Sequence, residues 1–205
     1  MTKKTFYILR HGEIYSGSWW WWRMTHLVSF DRDDPPLSEG GMQKSEVLGQ
    51  VLLKEKFVPE AIVVSPFIRC IQTATQIQKS LEPTSEVIIN PMLGEYEFLW
   101  KHLCANYPYG LPASYVHKTE NGNKKISCNY PETYEDMQKR CEFVAEEIMS
   151  RYDNAIFITH GSLVKFFAGY FSGNPENENL PIHFSDYIKV TIDENNVRTV
   201  EIINW

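Results

Sequence analysis

The stretch TFYILRHG, residues 5–12, decides the fold of this chain. Its first five residues are mostly apolar and include the aromatic and β-branched side chains that favour strands. A short run of this kind is typical of a strand buried on both faces, in a parallel sheet covered by helices. The strand gives way to Arg10 and His11, followed by Gly12. The sequence therefore predicts a central strand that brings two basic side chains to one edge of a sheet.

Further along the chain, apolar runs alternate with helical patterns. Three more buried strands are predicted at 61–64, 87–90 and 155–159. Amphipathic helices are predicted from Ser38, over 68–81 and from an N-cap at Thr133, and a short apolar helix is predicted over about 163–171. Residues 187–192 and 197–203 indicate a closing hairpin. Strands that alternate with helices predict an α/β fold, a three-layer α/β/α sandwich with a mostly parallel central sheet.

Two regions do not follow this pattern. Residues 16–36 read as a loop that contains a run of tryptophans at 19–22. That run either packs on the body of the protein or forms an apolar rim for an aromatic or steroidal group, and a dimer contact is a third reading. Residues 102–131 are rich in Tyr, Pro, Asn and Gly and predict a long irregular insertion. We expect one domain over residues 1–205.

The composition excludes several classes of protein. The chain has 205 residues, 43% of them hydrophobic, and a formal net charge of −6, without a block of Lys and Arg. This argues against a nucleic-acid partner, so any phosphate site must be a local basic pocket. The apolar run near the N-terminus is too short for a signal peptide or a membrane span, which predicts a soluble cytoplasmic protein. The four cysteines show no CxxC pairing and are expected to be free thiols.

The reactive side chains fall after three different strands. Arg10 and His11 follow the first strand, Arg69 lies just inside the helix after the second, and His160 follows the fourth. In open parallel sheets, ligands bind outside the carboxyl ends of the strands, so these side chains can converge on one crevice. Two Arg and two His there would bind a phosphoryl dianion, helped by backbone N–H groups at the two helix N-termini.

The motifs around these residues resemble the histidine phosphatase superfamily, also called phosphoglycerate mutase-like. The resemblance covers nearly the whole chain. It rests on LRHGE at 9–13, PLSEGG at 36–41, SPFIRCIQTA at 65–74 and THG at 159–161.

A closer resemblance is to the phosphatase domain that suppressors of T-cell receptor signalling share with ecdysteroid-phosphate phosphatases. It is carried by DPPL at 34–37, RCIQTA at 69–74 and LGEY at 93–96. One position departs from that subgroup, because Ile14 stands where its members have an Arg of the phosphate pocket. Arg23 or a residue of the insertion is the candidate to replace that charge. Relatives with this domain tend to be dimers, so the resemblance also implies a homodimer.

The resemblance implies a mechanism. His11 would attack phosphorus and form a phosphohistidine, while Arg10, Arg69 and His160 would bind the phosphoryl group and stabilise the transition state. Glu95 would protonate the leaving oxygen and then activate water, and Glu97 competes for that role. To start protonated, Glu95 would need a raised pKa or a low-pH optimum. His160 thus counts among both the catalytic and the substrate-binding residues.

The predicted function is that of a phosphomonoesterase acting on a phosphotyrosine-like, steroid or other small phosphoester, so the partner is a phosphorylated small molecule or a phosphoprotein. The six His and four Cys show no ligand spacing such as HxxxH or CxxC, which predicts neither metal nor other cofactor. Two alternatives stay open. One is a mutase-type phosphotransferase, and the other is a non-catalytic protein that kept the phosphate pocket.

Overall fold

The computed structural model describes residues 3–17, 34–81, 85–95, 114–119, 122–127 and 132–205. The strands are β1 (Lys4–Arg10), β2 (Ala61–Val64), β3 (Glu86–Ile89), β4 (Ser114–Thr119), β5 (Gly122–Ser127), β6 (Asn154–Thr159), β7 (Tyr187–Ile192) and β8 (Arg198–Ile203). The helices are α1 (Glu39–Lys54), α2 (Ile68–Ser80), α3 (Tyr134–Arg151) and α4 (Gly161–Ser172). Short 3-10 helices occupy Pro91–Leu93 and Pro175–Asn179.

The central sheet has the strand order β3-β2-β6-β1-β7-β8. The first four of these strands pair in parallel, while β7 is antiparallel to both of its neighbours. The register places Arg10 opposite Thr159 on the parallel strands β1 and β6. The residues that follow, His11 and His160, therefore leave the sheet side by side. The predicted mostly parallel sheet is confirmed.

Helices cover both faces of this sheet, as the sequence predicts. Alternate residues of β1 belong to two different cores, as expected from the period of a strand. Phe6 and Ile8 join a core with residues of α3 and α4. Tyr7 and Leu9 join a second core with residues of α1 and α2. Complete burial of such side chains contributes about 1.5–3 kcal/mol each, which explains why a strand apolar on both faces takes the centre.

Local sequence signals fix the helix starts. Ser38 is the N-cap of α1 and its hydroxyl accepts a hydrogen bond from the Gly41 N–H at 2.9 Å. Thr133 and Asp136 form a capping box at the start of α3. Because such caps satisfy N–H groups that have no partner within the helix, both predicted starts are confirmed.

Two predictions about the periphery are wrong. The strand predicted at 87–90 exists as β3 but is not buried, since Val87 and Ile89 are 38% and 36% exposed. Within the described sheet β3 pairs only with β2, so it is an edge strand. The stretch 102–131, expected to be irregular, contains the antiparallel pair β4 and β5. The tryptophan run at 19–22 lies outside the described residues.

None of the helices in the described ranges is long and apolar enough to cross a membrane. Two of the four cysteines, Cys70 and Cys141, are described, and both are free and buried. Cys104 and Cys128 lie outside the described part of the chain.

Candidate active site

The structure brings together the four basic residues that the sequence places after three strands. The Arg69 Nε donates to Nε2 of His11 at 3.2 Å, and its Nη2 lies 3.3 Å from Nδ1 of His160. The His11 backbone N–H donates to the Thr159 carbonyl at 3.0 Å. One guanidinium therefore contacts both imidazoles at the carboxyl edge of β1 and β6, where the sequence predicts the crevice.

The segment that carries His11 lies directly against α1 and α2. The Gly12 N–H donates to the Thr73 hydroxyl at 3.0 Å. A Cβ on Gly41 would lie 2.2 Å from the Glu13 carbonyl oxygen, closer than real contacts allow. Only glycine permits this approach, so the first turn of α1 fixes the backbone on one side of His11.

The His11 imidazole is held in one tautomer. Its Nδ1 lies 2.8 Å from the Gly12 carbonyl oxygen, which only accepts hydrogen bonds, so Nδ1 carries the proton. Its Nε2 accepts from Arg69 and must carry the lone pair. Burial, and then the positive charges of His160 and Arg69, hold the pKa of His11 well below its usual value. At neutral pH this ring is therefore a neutral base with a directed lone pair.

The His160 imidazole is fully buried and has polar neighbours at both nitrogens. Its Nε2 lies 2.9 Å from the Ser65 hydroxyl. Its Nδ1 lies 3.2 Å from a Glu95 oxygen, in addition to the contact with Arg69. Burial lowers the pKa of His160, although the neighbouring carboxylate opposes that shift. Because Nδ1 faces both a donor and an acceptor, either tautomer of His160 finds partners.

Asp34 is a site residue that the sequence reasoning did not assign. Its buried carboxylate accepts from the Ile68 N–H at 2.9 and 3.1 Å and from Arg69 Nη1 at 3.2 Å. It thus caps α2 from a distant segment and fixes the guanidinium, as buried ion pairs with several hydrogen bonds do. Among the donors expected to bind a ligand at the start of α2, the Ile68 N–H is therefore already bound by Asp34. The Asp-Pro-Pro sequence at 34–36 is the local feature that could have pointed to Asp34.

Arg10 approaches the site from the side of β7. Its Nη1 donates to the Ile182 carbonyl at 2.7 Å, and its guanidinium carbon lies 4.2 Å from the centre of the Phe184 ring. Its Nε is a buried donor without a partner among the described residues. A buried donor of this kind is costly unless a ligand satisfies it, and an anionic oxygen fits. No local pattern in the sequence indicates this contact of Phe184.

Glu95 follows the 3-10 helix at Pro91–Leu93 and is one quarter exposed. Its Oε1 accepts from the Ser162 hydroxyl at 2.7 Å. Burial favours a raised pKa, but the charge and hydrogen bond of His160 and the bond from Ser162 outweigh it and hold the pKa of Glu95 well below its usual range. Of the two expected ways for Glu95 to start protonated, a raised pKa does not hold, since the protein's own charges keep this carboxyl ionised, and the low-pH optimum is the one that fits. Glu97 lies outside the described residues.

Both candidates for the missing arginine's charge, Arg23 and a side chain of the stretch 102–131, lie outside what the structure describes. Ile14 forms an isolated antiparallel bridge with Leu37. Over the described ranges, no group of three or more His, Cys, Asp or Glu side chains could hold a metal ion. The basic side chains that the structure brings together here are the guanidinium groups of Arg10 and Arg69 and the imidazoles of His11 and His160.

Known proteins match this chain along most of its length. The model of the histidine phosphatase superfamily (branch 1) matches residues 6–204. An uncharacterized phosphoglycerate mutase family protein of Acanthamoeba polyphaga mimivirus is 32% identical over 168 residues, which are 80% of this chain and 76% of that protein. The ecdysteroid-phosphate phosphatase of Drosophila melanogaster is 30% identical over 114 residues, which are 56% of this chain but only 14% of that protein.

Solved structures share the fold. The ecdysone phosphate phosphatase from Bombix mori, in complex with tungstate, superposes with a TM-score of 0.63 at 13% identity and covers 98% of this chain and 92% of that one. The protein histidine phosphatase SixA, also complexed with tungstate, gives a TM-score of 0.58 at 18% identity, with 98% and 94% covered. At these identities the likeness concerns the fold.

Proposed function

Because this chain belongs to the histidine phosphatase superfamily, we propose that it is a metal-independent phosphomonoesterase that acts through a phosphohistidine on His11. The observation that carries this proposal is the tautomer of His11. Its proton is on Nδ1, bound to a backbone carbonyl, and its Nε2 lone pair lies beside the Arg69 guanidinium. A neutral imidazole beside a phosphate-binding cation is an activated nucleophile.

The reaction has two displacements at phosphorus. In the first, the Nε2 lone pair of His11 forms the N–P bond while the bond from phosphorus to the ester oxygen breaks, and a proton reaches the leaving oxygen from Glu95. In the second, water forms a new P–O bond as the N–P bond breaks, and Glu95 takes a proton from that water. Inorganic phosphate leaves, and His11 and Glu95 return to their starting states.

The charges around His11 support this chemistry. The transition state spreads negative charge over the three equatorial oxygens of the phosphoryl group. The guanidinium of Arg69 and the unpaired buried Nε of Arg10 are donors for these oxygens. Asp34 holds Arg69 in place before substrate arrives, so little reorganisation is needed during the reaction.

The ionised state of Glu95 determines where the proton for the leaving group must come from. Since its carboxyl is ionised next to His160, the productive complex must take up one proton, shared between Glu95 and the phosphate. A phosphate monoester loses its second proton at a pKa of about 6. Activity should therefore be highest at mildly acidic pH.

The substrate class we propose is an aryl or steroid phosphate. A cavity of about 790 Å³ is lined by apolar and polar side chains of the described residues, among them Val47, Trp205 and Phe184. The ring of Phe184 contacts the Arg10 guanidinium, which links the cavity to the site. This volume lies in the range of sites that bind drug-sized molecules. The 30% identity to an ecdysteroid-phosphate phosphatase also supports this choice.

The test is a substrate panel with a matched variant. Purified protein and His11→Ala receive p-nitrophenyl phosphate, a phosphotyrosine peptide, a steroid phosphate and 3-phosphoglycerate, with and without EDTA. Hydrolysis by the wild type alone, unaffected by EDTA, supports the proposal. Equal hydrolysis by both proteins contradicts the role of His11. Turnover of 3-phosphoglycerate to its isomer would favour a mutase, and absence of any turnover would favour a binding protein.

A further inference from the structure

The peptide that leads into Glu95 is held by a buried cation from α3. The Arg140 side chain is 1% exposed, and its Nη1 donates to the carbonyls of Met92 and Gly94, at 3.0 Å for Gly94. Its Nε and Nη2 bind both carboxylate oxygens of Glu132, at 2.7 and 2.8 Å. The bidentate pair with Glu132 fixes the orientation of the guanidinium. In that orientation Nη1 binds the backbone carbonyls just before Glu95.

The Leu93 carbonyl, between those of Met92 and Gly94, also accepts a hydrogen bond. The Thr159 hydroxyl donates to the Leu93 carbonyl at 2.7 Å, from the last residue of β6. The Asn90 side chain accepts from the Met92 N–H at 2.9 Å. Three successive carbonyls, at 92, 93 and 94, are therefore fixed by two buried side chains, one from the helical layer and one from the sheet.

We propose that Arg140 and Thr159 are positioning residues that hold Glu95 within proton-transfer distance of the leaving oxygen. This inference rests on the proposed role of Glu95 in the phosphatase reaction. Burying an ion pair gives little net stability compared with apolar side chains of the same size. The Arg140–Glu132 pair is accordingly better explained by the geometry that it imposes. Proton transfer requires heavy atoms about 2.6–3.2 Å apart, so small shifts of this peptide would matter.

The dependence of kcat/KM on the leaving group distinguishes a residue that positions Glu95 from one that only stabilises the fold. p-Nitrophenol is a much stronger acid than phenol, so p-nitrophenyl phosphate needs little protonation of its leaving oxygen, whereas phenyl phosphate needs it fully. The experiment measures kcat/KM, which reports phosphoryl transfer to His11, for both substrates. The variants are Arg140→Lys, which loses the fork but keeps the charge, Thr159→Val, which loses only the hydroxyl, and Glu95→Gln.

We expect Glu95→Gln to lose about 10²-fold or more on phenyl phosphate and far less on p-nitrophenyl phosphate. Arg140→Lys and Thr159→Val should show the same selectivity, with the loss on phenyl phosphate exceeding the other by about tenfold. Adding either change to Glu95→Gln should cost little more, because the group being positioned is already gone. Ile148→Ala is the matched control, since Ile148 is buried on the same helix, and it should affect both substrates equally.

The outcomes separate the two proposals. If Glu95→Gln is selective but Arg140→Lys and Thr159→Val lower both substrates alike, the positioning role is overturned and the role of Glu95 stands. If Glu95→Gln itself shows no selectivity, the acid role of Glu95 is wrong and this inference falls with it. Thr159→Val, a change of similar shape, keeps the test decisive if Arg140→Lys does not fold.

Discussion

The two histidines of the site follow neighbouring parallel strands, yet their surroundings differ. His11 has one nitrogen fixed by the carbonyl of the next residue, and its other nitrogen contacts a single guanidinium. His160 has a hydroxyl at one nitrogen and lies between a donor and an acceptor at the other. The first ring is held in one protonation state, whereas the second can exchange partners.

This difference supports the separate roles that we propose for the two rings. A nucleophile needs one directed lone pair. The hydrogen bond between Nδ1 and the Gly12 carbonyl leaves that lone pair on Nε2 of His11, beside the Arg69 guanidinium. A group that stabilises charge benefits from several polar contacts, and His160 has them. Because both rings follow strands at the same edge of the sheet, it is their contacts that support His11, and not His160, as the proposed nucleophile.

The largest expected effect is at His11. We predict that His11→Ala lowers kcat by on the order of 10⁵-fold or more, because loss of a nucleophile removes the covalent route. Steady-state hydrolysis of p-nitrophenyl phosphate measures it, with thermal unfolding as the check that the variant is folded. If His11→Ala kept a tenth of the wild-type activity, His11 would not be the nucleophile and the proposed difference between the two rings would be wrong.

A smaller loss is expected at the second ring. We predict that His160→Gln, which keeps a side-chain donor, lowers kcat/KM by about 10²–10³-fold, as removal of one charge-stabilising donor does. The variant should still form phosphoenzyme on a millisecond-to-second scale, detectable by rapid quench. A variant that binds substrate but forms no phosphoenzyme would mean that His160, not His11, carries the phosphoryl group.

The pH profile sharpens the comparison further. Since the pKa of His11 lies well below its usual value, activity should not fall as pH decreases through about 6.5, where an ordinary histidine gains its proton. Above about pH 6, kcat/KM for phenyl phosphate should fall by about tenfold per pH unit as the phosphate loses its second proton. If activity instead fell with decreasing pH around the ordinary pKa of histidine, His11 would not be shielded from protonation.

The smallest effect is expected at Ser65, whose hydroxyl lies beside His160. Ser65→Ala removes the partner at 2.9 Å from His160 Nε2 and should lower kcat/KM by about 2- to 10-fold, the worth of one hydrogen bond. Cys70 lies 3.6 Å from the same nitrogen, and Cys70→Ala is the matched control, for which we expect a smaller change. A larger effect at Cys70 than at Ser65 would contradict this view of His160.

Much of the fold could be predicted from the sequence, because its main signals are local. A strand apolar on both faces must lie inside a covered sheet, and caps such as Ser38 and Thr133 mark helix starts. The exposure of β3 could not be predicted in this way. A Val/Ile-rich segment looks the same at the centre and at the edge of a sheet, and only the strand order separates the two.

The site was predictable as a set of residues but not as a set of contacts. The positions of Arg10, His11, Arg69 and His160 after successive strands predict that they converge. Asp34 binds Arg69, 35 positions away in the chain, and Arg140 binds the Gly94 carbonyl, 46 positions away. No local pattern reveals contacts at such separations. The lowered pKa of Glu95 has the same origin, because it follows from His160 and Ser162, at the start of α4 and distant in the chain.

The central claim is that phosphorus passes through His11, and trapping the intermediate tests it most directly. Glu95→Gln is mixed with radiolabelled p-nitrophenyl phosphate, because loss of the base that activates water should let the phosphoenzyme accumulate. The reaction is quenched in alkali, which preserves phosphohistidine, and the labelled peptide is identified. We predict acid-labile label on the peptide that contains His11 and none in the His11→Ala/Glu95→Gln double variant. Label on His160, or a burst of p-nitrophenol without labelled protein, would contradict the account.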